Sequence, residues 1–180
     1  MQRIEKTSED KRPSYYLSNL RDYGKKSKWF HWHSAELFLN LIYTHDAIFN
    51  HLASKLEASG LSRSTLNILN IISRSENKGC THRELSDLLL VSRANITELV
   101  DNLVRRNLVE RQGSEKDRRL SIVKITRKGE ELRNSVTPSY YLEMKKLASC
   151  LNSNERHKLN KILAKLRLKT LALRSVTGRK

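Results

Sequence analysis

The sequence predicts a mainly α-helical fold carrying one small antiparallel β-hairpin and organised around a helix-turn-helix. Three observations carry this expectation. Six glycines and two prolines in 180 residues leave little material for repeated tight turns. Apolar residues recur at steps of three and four along most of the chain, the mark of amphipathic helices. The exception is Ser121–Ile125, where Val123 and Ile125 alternate with Ser121 and Lys124 at a period near two, as in a short strand.

Residues 1–13 are charged, lack periodicity and read as a mobile arm. From Tyr15 to Trp32, rings at Tyr15, Tyr16, Tyr23, Trp29, Phe30 and Trp32 interleave with Arg21, Lys25, Lys26 and Lys28. Aromatics among cations fit contact with nucleic acid. They fit docking on the protein's own helices or on a partner subunit better. Ser34 is placed to cap a long helix reaching about Glu57, with Leu37, Leu41, His45, Ile48, Leu52 and Leu56 at mostly four-residue steps. Phe38, Ile42 and Phe49 widen its apolar face, so it needs two neighbours, one of which a second subunit can supply. Ser59–Ser62 breaks that helix. Ser62 or Ser64 starts the next, whose Leu66, Ile68, Leu69 and Ile72 give a buried face ending near Arg74.

Beyond a polar loop over Ser75–Gly79, Thr81 and Glu84 form a capping box, and Leu85, Leu88 and Leu89 share one face. Only Leu90 and Val91 separate this helix from Ser92, the cap of another in which Ile96, Leu99, Val100 and Leu103 repeat at i, i+3, i+4 and i+7. Two capped amphipathic helices so close together must cross. That is the sequence form of a helix-turn-helix, whose second helix lies in a DNA major groove. Arg93, Asn95, Thr97 and Glu98 are then left facing outward, and these types suit base edges: Arg reads guanine, Asn adenine, Glu cytosine. Ser92 and the free N–H groups suit a phosphate. A solvated polar face is the plainer account of the same residues.

Past Leu108, Val109–Arg111 is set to pair back along Ser121–Ile125 through a turn over Gln112–Asp117. The tip carries Lys116, Arg118 and Arg119, cations on a thin hairpin that suit a minor groove, with Asp117 placed to orient Arg119 by an ion pair. Thr126 is the cap of a helix to about Ser149, in which Pro138 predicts a kink or break. Asn152 and Glu155 cap the last helix. Its Leu159, Ile162, Leu163 and Leu166 lie at helical spacing, and Lys158, Lys161, Lys165, Arg167 and Lys169 read as a solvated face in preference to a DNA contact. A frayed tail follows from Ser175.

The formal net charge of +16 favours a polyanionic partner, with an acidic membrane surface as the competing explanation. No apolar run approaches the ~20 residues of a membrane span, and Met1–Asp10 does not read as a signal peptide, so a cytoplasmic location without membrane contact is expected.

At this point several motifs stand in order: Thr81-x-x-Glu84-Leu85-Ser86, Val91-Ser92-Arg93-Ala94, Leu103 with Leu108-Val109-Glu110-Arg111, Asp117-Arg118-Arg119, and Ile125-Thr126-x-Lys128-Gly129. Together they resemble the winged helix-turn-helix of the multiple antibiotic resistance regulator (MarR) family. The resemblance extends over residues 35–173 in layout and is sharpest over 80–129. It implies a homodimeric transcription regulator, often a repressor released by a small ligand, whose terminal helices and first long helix form the dimer interface. On that plan, residues 1–33 are an extension, 34–60 and 130–174 the helical dimerisation region, 61–129 the winged domain and 175–180 the tail. Contacts with double-stranded DNA fall on Thr81, His82, Arg83, Ser92, Arg93, Ala94, Asn95, Thr97 and Glu98 of the helix pair and its support. Those of the wing fall on Lys116, Asp117, Arg118 and Arg119.

Effectors in this family, often phenolic or otherwise aromatic acids, sit between the scaffold helices and the winged domain. Trp29, Trp32, Tyr43, Phe49 and Asn67 are the residues that could line such a pocket here. Each aromatic is more simply a core or interface residue. Urate-responsive members use an acidic residue near the position of Asn67, and the amide departs from that pattern. Some members sense oxidants through cysteine. Cys80, just before the helix cap, would need a lowered thiol pKa, which His82, Arg83 and the helix N-terminus could provide. Cys150 reads as a small buried hydrophobe. The cysteines lack zinc-finger spacing, and the histidines His31, His33, His45 and His51 lack a shared helix face or carboxylate support, so no metal and no cofactor are expected.

Of the remaining function classes, a sequence-indifferent architectural or RNA-binding protein fits the charge but gives no reason for capped reading helices. The chain lacks a P-loop, a G-x-G-x-x-G, a G-x-S-x-G elbow and an H-E-x-x-H, so no enzyme is expected.

Overall fold

A computed structural model describes residues 15–16, 18–20, 24, 27–75, 78–89, 93–113 and 121–177, and the chain divides into two units, Met1–Lys55 and Leu56–Lys180. The first holds α1 (Trp32–Ser54), which starts ahead of the expected cap at Ser34; its own cap position, His31, makes no side-chain cap bond. The ring of Tyr16 lies 5.7 Å from that of Tyr43 on α1, so this part of the aromatic segment packs on the protein itself. Leu52 is buried, whereas Leu37, Phe38, Ile42, Ile48 and Phe49 along the same helix are exposed.

In the second unit a 3₁₀ turn (Glu57–Ser59) leads to α2 (Arg63–Arg74), β1 (Gly79–Thr81), α3 (His82–Leu89), α4 (Arg93–Arg105), β2 (Val109–Gly113), β3 (Ser121–Ile125), α5 (Arg127–Ala148) and α6 (Ser153–Thr177). Ser62 is the cap of α2: its Oγ accepts from the Thr65 N–H at 3.1 Å while Thr65 Oγ1 accepts from the Ser62 N–H at 2.8 Å. Leu66, Ile68, Leu69 and Ile72 of α2 are fully buried. This helix packs against α3, α4, α5, β1 and β3. Leu56, Leu85, Ile96, Val100, Leu103, Leu108, Val109 and Val123 are buried in the same core. Leu88, expected on the buried face of α3, is instead 63% exposed. A helix of eight residues needs only its Leu85 and Ser86 side buried, and the second leucine of the pair falls outside that narrow seam.

The sheet has three antiparallel strands in the order β1-β3-β2, one more than the expected hairpin. Val109 pairs with Ile125 and Arg111 with Val123, as the alternation implied, while β1 adds Cys80 opposite Val123 on the other edge of β3. Three residues, Gly-Cys-Thr, are too few to show a period of two.

Two junctions fix where α4 and α5 end and begin. Beyond α4, Asn107 adopts φ 57°, a left-handed conformation that Asn tolerates. There the Leu108 N–H reaches the Leu103 carbonyl and the Asn107 N–H the Val104 carbonyl, both at 2.9 Å, which is a Schellman cap. Thr126 caps α5 through the Gly129 N–H at 3.1 Å, and its hydroxyl donates to the Asn107 carbonyl at 2.8 Å. Gly129 is needed for packing: a Cβ there would stand 2.0 Å from the Leu108 carbonyl oxygen.

Several expectations are corrected. The helix runs through Pro138 from Arg127 to Ala148 without a break. Cys150 is exposed, its Sγ donating to the Leu147 carbonyl at 3.3 Å across the turn between α5 and α6. Helix α6 continues to Thr177, past the tail boundary expected at Ser175. Its cap is as expected, the Asn152 N–H donating to Glu155 Oε2 at 2.7 Å and the Glu155 N–H to Asn152 Oδ1 at 3.0 Å.

The glycine junction leads to a direct comparison. Gly129→Ala is expected to lower stability by about 1–3 kcal/mol through overpacking, whereas Gly113→Ala, whose added Cβ meets nothing within 4 Å, should leave the urea midpoint nearly unchanged.

Candidate nucleic-acid interface

The first helix of the head is fixed by the predicted capping box. The Thr81 N–H donates to Glu84 Oε2 at 2.7 Å, the Thr81 hydroxyl to the same oxygen at 2.9 Å, and the Glu84 N–H to Thr81 Oγ1 at 3.2 Å. The backbone and side-chain hydrogen bonds from Thr81 hold the Glu84 carboxyl below its usual range, slightly opposed by burial. Arg83 is exposed and His82, the first residue of α3, is half-buried. Burial pushes the His82 imidazole below its ordinary value; the Arg111 guanidinium adds to this and Asp101 opposes it. His82 is therefore a neutral donor or acceptor near neutral pH.

On α4, Ile96, Val100 and Leu103 are fully buried, which rotates Ala94, Asn95, Thr97 and Glu98 into solvent. Arg93 opens the helix. Asp101, one turn beyond Thr97, accepts from Arg111 on β2, joining α4 to the strand that leads into the wing. On the opposite flank Asn95, Glu98, Asn102 and Arg105 form one wall of a cleft of about 280 Å³, with Gly60, Ser62 and Thr65 on the other. At the far end of α4 the Arg106 guanidinium donates to the Gly60 carbonyl at 2.6 Å and the Ser59 carbonyl at 2.9 Å. The helix is thus clamped to the turn before α2 at one end and to β2 through Asp101. Sequence reasoning missed Asp101, Arg106 and Arg111 as positioning residues. Their partners lie 10 to 47 positions away, so no local spacing could have revealed them.

Ser92 and the wing-tip residues Lys116, Asp117, Arg118 and Arg119 lie outside the described residues. Trp29, 92% exposed, stands on the turn before α1. Trp32, Tyr43 and Phe49 lie on α1 in the first unit and Asn67 on α2 in the second, and none of the five lines the cleft beside α4. Phe30 and Trp32 approach at 6.4 Å between ring centroids, His45 stacks on Phe49 at 5.5 Å and Tyr43 meets Tyr16, so three of the four aromatics contact rings within their own unit. Cys80 is buried on β1, and burial pushes its thiol up, with Glu84 adding to this and a hydrogen bond with Ser75 opposing it. The lowered pKa expected of a redox-active thiol is not found, because desolvation outweighs the Ser75 hydrogen bond. Among the described residues no cluster of three metal-ligating side chains occurs, and no helix is long and apolar enough to cross a membrane.

Comparison with known proteins places this geometry. The sequence profile described as the MarR family matches residues 59–120. The transcriptional repressor MprA of Escherichia coli (strain K12) is 33% identical over 111 residues, which are 62% of this chain and 63% of that protein. The chain thus spans less than two thirds of that relative's length. Among solved structures, AbsC, a MarR family transcriptional regulator from Streptomyces coelicolor, superposes with a TM-score of 0.75 at 20% identity, covering 81% of this chain and 99% of that one. MepR of S. aureus, solved as a DNA complex, gives a TM-score of 0.67 at 22% identity, covering 74% and 96%. At these identities the structural likeness speaks for the fold.

Two acid-dependent contributions should separate by pH. The unfolded chain protonates His82 below about pH 6.5 while the folded head resists, so stability is expected to fall with pH in that window, less so in His82→Gln. Glu84 stabilises fully above its ordinary 4.5 and loses its contribution as pH falls through its lower folded value, so Glu84→Gln should flatten only the more acidic window. Urea titrations at pH 7.5, ~5.5 and ~3.5 distinguish the two.

Proposed function

We propose that this chain is a member of the MarR family and a homodimeric, sequence-selective DNA-binding regulator of transcription that acts as a repressor in the cytoplasm. The observation that carries the reading is the α4 surface: a helix locked into the core by Ile96, Val100 and Leu103 presents Ala94, Asn95, Thr97 and Glu98 to solvent, and Asp101 ties it to the wing strand through Arg111. A non-specific phosphate binder needs neither the lock nor the tie. The repressor sense is supported by the name of the Escherichia coli relative.

The dimer is supported by apolar side chains that a single copy leaves exposed, among them Phe38 and Ile42 on α1 and Leu142, Ile162 and Leu173 on the last two helices. Soluble chains expose few contiguous apolar patches unless a partner covers them. A two-fold axis would set the recognition helices of the two copies about 34–36 Å apart, so the operator is a pseudo-palindrome. The wing cations Lys116, Arg118 and Arg119, oriented by Asp117, would take the adjoining minor groove. Ser92, Thr81, His82 and Arg83 would sit against phosphates and hold the register.

The base-reading assignment is tested with Asn95→Ala across a binding-site library. A loss of about 1–3 kcal/mol of discrimination at one base pair of each half-site is expected; unchanged preference at every position would show that Asn95 reads no base.

A further inference from the structure

We propose that the lysine face of α6 is a second binding surface for duplex DNA, one that grips the phosphate backbone without reading sequence. The distribution of charge points there. Residues 130–180 hold twelve Lys and Arg against four Asp and Glu, a net +8 of the chain's +16, although they lie outside the reading head. Helix α4, by contrast, balances Arg93 and Arg105 against Glu98 and Asp101. The helix that reads is neutral, and the strongest excess sits at the far end of the chain.

On α6 that excess is ordered. Lys158, Lys161, Lys165 and Lys169 follow at steps of three, four and four, which sets them within about an 80° arc along about 16 Å of helix. All four are exposed, and among the described residues none has a hydrogen-bond or ion-pair partner. Three cations elsewhere are paired with acids: Lys78 with Glu130, Lys146 with Glu143, Arg127 with Glu131. The one acid on α6, Glu155, is occupied in the cap with Asn152. Its Arg156 likewise points elsewhere, donating to the Leu151 carbonyl at 2.6 Å. Four like charges on one face repel one another, so a helix that keeps them unpaired gains from a polyanion laid along it.

The chemistry of the face selects among polyanions. Lysine ammonium groups are point charges suited to phosphate oxygens, whereas bidentate base reading belongs to arginine and amides. Between Ser153 and Thr177 there is no Phe, Tyr or Trp. Unpaired strands are held largely by stacking on such rings, which a duplex does not need. Along one strand a phosphate recurs about every 3.4 Å of axis, so the lysine stripe spans about five. Leu159, Ile162 and Leu173 border the stripe on one side and Leu168 on the other. The proposal does not depend on the base-reading role of α4, since it concerns DNA of any sequence.

The test compares wild type with the quadruple variant Lys158→Gln, Lys161→Gln, Lys165→Gln, Lys169→Gln on a random-sequence 30-base-pair duplex, read by anisotropy from low to moderate salt. Helical content and solution mass serve as folding controls. The variant should lose at least about tenfold in affinity near 0.1 M salt and show a log–log salt slope shallower by about three. A quadruple Lys→Arg variant should keep both. An unchanged slope in a folded Gln variant overturns the proposal. If the Gln variant fails to fold, wild type decides: acylation of individual lysines, followed by mass spectrometry, should show these four protected by the duplex. Protection by anionic vesicles but not by duplex, or no protection at all, overturns it. Failure of base reading would leave these results unchanged, because the probe contains no operator.

Discussion

Five elements of the second unit meet by burying one stripe of α2. Leu66, Ile68, Leu69 and Ile72 are fully withdrawn from water, and α3, α4, α5, β1 and β3 all pack around the helix that carries them. Each such side chain contributes about 1.5–3 kcal/mol on burial. An exposed ion pair contributes about 1 kcal/mol or less. The hydrophobic seam therefore decides which elements meet, and the polar bonds decide their final angles.

The reading surface follows from that seam. Once Ile96, Val100 and Leu103 are committed to the core, the rotation of α4 is set, and Asn95, Thr97 and Glu98 have nowhere to go but solvent. The Schellman cap at Asn107 ends the helix, Arg106 pins its end to the Ser59 and Gly60 carbonyls, and Asp101 holds the wing strand through Arg111. These restraints act on backbone and helix position and leave the outward side chains available. Rigid support beneath adaptable contact residues is what a binding surface requires.

How much of this could be read from the sequence depended on how local each cause is. The caps at Thr81, Ser62, Thr126 and Asn152 were legible because donor and acceptor lie three residues apart. The β2–β3 register was legible because Val123 and Ile125 alternate with polar neighbours. Strand β1 was hidden by its length, and its pairing with β3 bridges more than forty positions. Of the kink or break expected at Pro138, the break did not occur: the helix continues through the proline despite one lost backbone bond. The exposure of Leu88 and Cys150 was equally invisible, because hydrophobic character alone does not say which face a neighbour will cover. At the site, the identity of the outward residues on α4 was legible from the apolar repeat. The clamps formed by Arg106 and Arg111, and the burial that raises the Cys80 thiol pKa, arise only when distant segments meet.

Under the proposed function, a neutral helix would select sequence and cations elsewhere would supply affinity. Phosphate contacts alone would give tight binding that fades with salt and ignores sequence. The α4 surface would turn such affinity into selectivity. The most direct measurement is selection of bound sequences from a randomised DNA pool near 150 mM salt, with the mass of the protein recorded in the same buffer. The account predicts an enriched inverted repeat bound by a dimer; retention of DNA with no enriched sequence would contradict it and leave the helix-turn-helix a fold without a code.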